Sequence, residues 1–477
     1  MRTVCRGFAT SVNFCLQTTE EPMNYLTKLI RSSFEREFQK TMFSIALPIM
    51  IQSFMMSFLN MIDTIMVGRL GETEIASVGI ANQFYFFYNM LLIGLCGGVS
   101  VFISQYWGRR DEKNIKKILG VGLSSVVLLS ILFIIIGFYN PDNVIRLFSN
   151  DILVEQIGTQ YLSITVFSYF FTGVSFLYGF SLRSIGRATL PMIVNMVAII
   201  TNVILNYLLI FGNLGFPTLG VNGAAIATLI ARVTEAILLM FFIYRFENPL
   251  RAKISELLSF KRHFVKRAYK TITPVVFNDM FWGLATLTYI AVYGRMGTAA
   301  MATIQIGNTV NNLFMVIAFG LSNASAIMIG NSIGEGKPLL AFDYAKKFIV
   351  SSFFISLGIG VLLALFSPMI LQLYKVSETV RYSAQAILYM ISAIFSIRVL
   401  AILLIVGILR GGGDAGKALL IEGFTMWGVG VPLLLFGAFV LQWPVHWVYA
   451  LAMTEEIVKC ILSLFRLKSG KWIHDLT

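Results

Sequence analysis

The sequence predicts an all-α integral membrane protein with 12 transmembrane helices arranged as two similar six-helix halves. Three observations predict it. The first is composition. Of the 477 residues, 57% are hydrophobic and 13% are charged, against roughly 25% charge in a soluble domain. A chain this apolar needs lipid as its solvent, and a span takes ~20 apolar residues. The second is a repeat at an offset of 226 residues. Pro48 recurs as Pro274, Gly68-Arg69 as Gly294-Arg295, Asn82 as Asn308, Gly94-Leu95 as Gly320-Leu321 and Gly108 as Gly334. The ungapped window holds 11 identities in 61 positions, where composition alone gives ~4. The third is an alternation of charge between successive loops.

Apolar runs bounded by Gly, Pro or charge place the spans. In the first half they cover 42–67, 75–106, 118–139, 156–181, 190–211 and 222–244. In the second half they cover 271–293, 300–333, 347–374, 384–409, 417–440 and 445–467. Helix is the only economical backbone, because each span must pair its own polar groups in lipid. Basic loops hold Arg109, Arg110, Lys113, Lys116 and Lys117, then Arg183 and Arg187, then a run from Arg251 to Lys270. Loops on the other side hold few cations, and 212–222 and 440–445 hold no Lys or Arg. The positive-inside rule then puts both termini in the cytoplasm of an inner-membrane protein. Six spans precede the basic connector, so the halves are parallel repeats, an arrangement in which transporters commonly place a site. The expected organisation is a cytoplasmic N-terminal tail over 1–40, a six-helix lobe over 41–245 and a basic connector over 246–270. A second lobe follows over 271–467, and a cytoplasmic tail over 468–477.

The net charge of +13 (37 minus 24) sits in these short loops, so it calls for no nucleic acid. Cys5, Cys15, Cys96 and Cys460 show no metal-ligand spacing, and the histidines His263, His446 and His474 are scattered. No nucleophile, base and metal constellation points to an enzyme. Residues 1–22 lack the apolar core of a cleaved signal, and Met23 is an alternative start.

Ionisable residues inside a bilayer are costly, so each needs a reason. Asp63 stands alone in the first span, and its repeat counterpart is Tyr289. A lone buried carboxylate is read as a proton carrier or a small-cation site, the alternative being a helix-end acid that faces water. Asn195, Asn202 and Asn206 are spaced to share one face of the fifth span. With Asp63 they offer a site for a sodium ion or a proton relay, the alternative being polar glue between helices. Asn278 and Asp279 form a second one-sided polar pair, and Asp279 is read as a site for cationic substrate or a coupling ion, the alternative being a pair with Arg398 or another internal cation. Arg232 with Glu235 and Glu456 with Lys459 are three apart, and these residues are read as structural, together with Arg398, Glu422 and Glu455.

The segment MIDTIMVGRLG (61–71), with Ala76 and Asn82, resembles the start of the MATE (multidrug and toxic compound extrusion) family. So do LRSIGRATLP (182–191), NYLLIFGNLGFPTLGVNGAAIAT (206–228), GRMGTAAMA (294–302) and LRGGGDAGK (409–417). The resemblance implies two six-helix lobes around a V-shaped cavity that opens to alternate membrane faces. It implies export of amphipathic, cationic compounds in exchange for H+ or Na+, with no cofactor, by a monomer in the lipid bilayer. Asp63 matches the family's coupling-ion residue, and Asn202 and Asn206 match the polar positions that assist it. Asn195, Asn278, Asp279 and Trp282 are expected at the substrate cavity. The better-known drug exporters carry a Glu where Trp282 stands here. The alternatives are a flippase for a lipid-linked oligosaccharide and a narrow-specificity metabolite exporter.

Overall fold

The computed structural model describes residues 22–149, 151–372, 374 and 376–477. The proposed alternative start concerns residues 1–22, of which 1–21 lie outside the described residues, as does Lys375. The first half comprises α1 (Pro22–Ser33), α2 (Arg36–Gly68), α3 (Glu72–Gly108), α4 (Glu112–Tyr139) and α5 (Pro141–Arg146). It continues with α6 (Ile152–Thr165), α7 (Ser168–Ser184), α8 (Thr189–Phe211), α9 (Gly220–Arg245) and the short α10 (Ile254–Leu257). The second half comprises α11 (Arg262–Arg295), α12 (Thr298–Gly334), α13 (Pro338–Leu371) and α14 (Glu378–Ile402). It ends with α15 (Ala415–Phe424), α16 (Val431–Leu435) and α17 (Val445–Lys468). Wider π-helical turns extend α14 over Leu403–Leu409, join α15 to α16 over Thr425–Gly430 and follow α16 over Phe436–Val440. No strand occurs among the described residues.

Ten of the described helical segments are long and apolar enough to cross a membrane. The fourth predicted span is two helices, α6 and α7, bent by 49°. Hydroxyls explain the break: Thr165 Oγ1 donates to the Tyr161 carbonyl at 2.9 Å and Ser168 Oγ to the Thr165 carbonyl at 2.6 Å. Such back-bonding competes with the helical ladder and bends it. Counting that pair as one span gives 11. The last predicted span, α17, has 24 residues but carries Glu455, Glu456 and Lys459 in its middle. Those three charges keep it out of the ten, with one lysine, Lys459, standing 3.5 Å from Glu456 and 3.9 Å from Glu455.

The chain forms two compact units, Leu47–Met280 and, with the chain up to Ala46, Phe281–Thr477. Both boundaries fall inside a helix, α2 and α11, near Pro48 and Pro274. Glycine sets the packing within the first unit. A Cβ at Gly98 would lie 2.8 Å from the Cα of Ile272, and one at Gly94 2.7 Å from the Cα of Val276. Only bare backbone lets α3 and the first part of α11 approach so closely. In the second unit, the N-terminal arm docks on α13. Ser351 Oγ donates to the Ser33 carbonyl at 3.0 Å, and Phe38 meets Phe348 edge-on with ring centres 5.2 Å apart. Ile387, Ile391, Phe395 and Val448 fill the core of this unit.

The basic connector is held, not loose. The Leu257 carbonyl sits on Gly120 of α4, where no side chain would fit. Glu256 accepts from Lys116 at 2.9 Å and from the Lys253 N–H at 2.7 Å. The Lys116 bond, then the Lys253 N–H, holds the exposed Glu256 carboxyl below the usual carboxylate range. A depressed carboxylate contributes at pH above its unfolded value, and the contribution is lost as pH falls through the folded value. Acidification is therefore expected to loosen the connector, and Glu256→Gln to loosen it already at neutral pH. Faster amide hydrogen exchange over 253–258 checks both.

Candidate functional site

A cavity of about 420 Å³ lies inside the Leu47–Met280 unit. Helical spacing builds its walls. Asn60, Asp63, Thr64 and Val67 of α2 line it, at the i, i+3, i+4 and i+7 positions of one face. From α8 come Ala198, Ile199, Asn202 and Asn206, and from α9 Ala224, Thr228, Ala231 and Arg232. Tyr85 and Asn89 of α3 and Tyr161 of α6 close it. Gly223 explains why α8 and α9 face each other so closely, since a Cβ there would lie 2.5 Å from the Leu209 carbonyl oxygen.

One chain of hydrogen bonds crosses three helices. Asn206 Nδ2 donates to Asp63 Oδ1 at 2.7 Å and to Asn202 Oδ1 at 3.0 Å. Asn202 Nδ2 donates to Thr228 Oγ1 at 3.4 Å. Asn202 and Asn206 are buried, and Asn206 Oδ1 has no hydrogen-bond partner. A second, separate group surrounds Glu235. Arg232 Nη1 meets Glu235 Oε2 at 2.7 Å, and Asn195 Nδ2 donates to Glu235 Oε1 at 2.9 Å. Glu235 thus spends both oxygens on fixed partners, and Arg232 has a dedicated counter-charge. Asp63 makes no ion pair among the described residues, so these three charges leave one negative in excess.

This arrangement suits a proton or a small monovalent cation. Protonation of Asp63 would remove the excess charge and reverse the demand it places on Asn206. A sodium ion needs oxygen ligands, and Asp63, Asn202, Asn206 and Thr228 carry them within one hydrogen-bond chain. Asn206 now presents nitrogen to Asp63, so sodium requires its amide turned to present the unpartnered oxygen, an exchange that side-chain amides allow. No group of three or more His, Cys, Asp or Glu residues able to hold a metal occurs among the described residues.

Of the residues singled out from sequence, Asp63, Asn202 and Asn206 come together. Asn195 shares their helix face but binds Glu235 and is not part of the cavity wall. Asn278, Asp279 and Trp282 are likewise absent from that wall. Asn278 is buried, Asp279 lies against Gly94 and Trp282 is exposed. Arg398 of the second unit is engaged with Glu456 at 3.5 Å and Asn311 at 3.1 Å. Arg232, read as half of a structural pair, is paired as expected and also lines the cavity. Thr228 carried no charge to draw attention, though its place four residues before Arg232 marks the same helix face.

The MatE family model matches residues 48–208 and 274–463, one match in each half, and the chain belongs to that family. It is a multi-pass membrane transporter. It is similar to the uncharacterized transporter YisQ of Bacillus subtilis, 24% identical over 91% of this chain and 95% of that one. It is also similar to the probable multidrug resistance protein NorM of Thermotoga maritima, 24% identical over 91% of this chain and 93% of that one. Among solved structures, a MATE protein in a bent conformation superposes with a TM-score of 0.81 at 20% identity, covering 91% of this chain and 96% of that one.

Removing Arg232 would leave Glu235, 6% exposed, as an unpaired buried charge costing about 3–5 kcal/mol. Removing the Asn206 amide should cost about 1–3 kcal/mol. Thermal unfolding in detergent is expected to show a larger loss for Arg232→Met than for Asn206→Ala. The Arg232→Met/Glu235→Gln double variant should recover much of the Arg232→Met loss.

Proposed function

We propose that the protein exports amphipathic, cationic compounds in exchange for a proton or sodium ion bound at Asp63, Asn202 and Asn206. The observation that carries the reading is the unpaired Asp63 carboxylate in a cavity of about 420 Å³, a size suited to a small organic molecule. Tyr85, Tyr161 and Tyr169 add aromatic faces to that wall, and aromatic faces attract organic cations. The names of relatives such as the Thermotoga NorM protein agree with a drug-export role.

In the proposed cycle, ion and cargo compete for the same negative charge. When the ion occupies Asp63, the link from α2 through Asn206 to α8 changes its partners. That repacks α2 and reduces the space and charge available to cargo. Export is driven because the two shapes differ in their affinity for ion and for cargo. The protein is placed in the inner membrane with both termini cytoplasmic, on the distribution of Lys and Arg among its loops. A flippase for pyrophosphate-linked sugars would need cations in excess in the cavity, and the one cation in this wall among the described residues, Arg232, is paired with Glu235.

Cells expressing the protein are expected to expel ethidium under an imposed proton or sodium gradient. Asp63→Asn should reduce that efflux to the background of cells lacking the protein. Efflux that persists undiminished in the variant would refute this mechanism.

A further inference from the structure

The repeat aligns Asp63 with Tyr289, since both lie at the same register 226 residues apart. The second half therefore has no carboxylate on its first helix at that place. The structure supplies one from another helix. Tyr289 OH donates to Glu455 Oε2 of α17 at 2.5 Å. Gly430, at the end of a π-helical turn, makes the room: a Cβ there would collide with both the Glu455 carboxylate and the Tyr289 hydroxyl. All three residues belong to the unit that contains Phe281–Thr477.

Glu455 is 3% exposed, and its charge is poorly matched. Lys459 is shared among three carboxylates, with Glu456 at 3.5 Å, Glu422 at 3.8 Å and Glu455 at 3.9 Å. Glu456 has Arg398 as a second cation at 3.5 Å. Glu455 has no second cation within ion-pair distance among the described residues. The other ionisable groups that face it are Tyr289 and Tyr293 of α11, Glu456 beside it and, further off, Arg398. An ionised carboxylate so placed costs several kcal/mol, which a bound proton removes.

We propose that Glu455, held by Tyr289 in the Gly430 slot, is a second exchangeable proton site, standing in the second half where Asp63 stands in the first. The last helix of the second repeat supplies the acid that the first helix supplies in the first repeat. Glu455 then carries its proton as a carboxylic acid hydrogen-bonded to the Tyr289 oxygen, and returns to the carboxylate form when the proton leaves. The site does not depend on Asp63 being the coupling residue.

Infrared difference spectroscopy of the purified full-length protein in detergent, with stepped pH, tests this. Wild type is expected to show a protonated-carboxyl band that disappears on raising the pH. Glu455→Gln should abolish that band, while Asp63→Asn should leave it in place. Tyr289→Phe should shift its frequency, because the acid loses its hydrogen-bond partner, and Gly430→Ala should shift or abolish it by closing the slot. A spectrum unchanged in Glu455→Gln would overturn the proposal. So would a band that neither Tyr289→Phe nor Gly430→Ala moves. Loss of a separate band in Asp63→Asn reports on the first-half site alone, so the two readings fail independently.

Discussion

A charge carried into the low-dielectric interior of a membrane protein must be matched there or given up. The desolvation cost of an unmatched ion exceeds almost any packing gain a single side chain can supply. That constraint orders the polar residues of this chain. Glu235 is matched twice, by Arg232 and by Asn195. Glu456 is matched twice, by Arg398 and Lys459. Those groups cross-link helices and need nothing from outside. Asp63 accepts from the Asn206 amide and makes no ion pair among the described residues. In the proposed cycle, a carboxylate left in that condition is where a positive partner binds, and its helices respond when that partner changes.

The scaffold works toward the same end. Glycines bring α3 against the first part of α11, and Gly223 brings α9 against α8. Close backbones put short polar side chains within reach of one another, which is how Asn206, Asn202 and Thr228 form a single chain. Pro48 and Pro274 each remove a ladder donor inside the continuous helices α2 and α11, and hydroxyl side chains bend the pair α6 and α7. The polar links therefore run through helices that have places to bend.

Much of this was legible in the amino-acid sequence. Apolar runs and the repeat at 226 residues make the membrane class plain, because lipid allows only a paired helical backbone. The face shared by Asn202 and Asn206, and the isolation of Asp63, follow from spacing alone. Spacing also put Asn195 on that face, yet Glu235 captures it, since helical period cannot say which neighbour a side chain meets. Arg232 had a visible partner three residues away but not a visible cavity. The bend between Thr165 and Ser168 needed hydroxyl geometry that an apolar run conceals. Glu455 looked structural because its meaning depends on Tyr289 and Gly430, each more than twenty residues away in sequence and brought together only by the fold.

The most direct test of the account is the affinity of the purified protein for a permanent organic cation such as tetraphenylphosphonium, measured while pH and sodium are varied separately. If ion and cargo compete for the Asp63 charge, affinity weakens as one of those two ions rises, and Asp63→Asn removes that dependence. An affinity indifferent to both ions, or a dependence that survives in Asp63→Asn, would contradict the account.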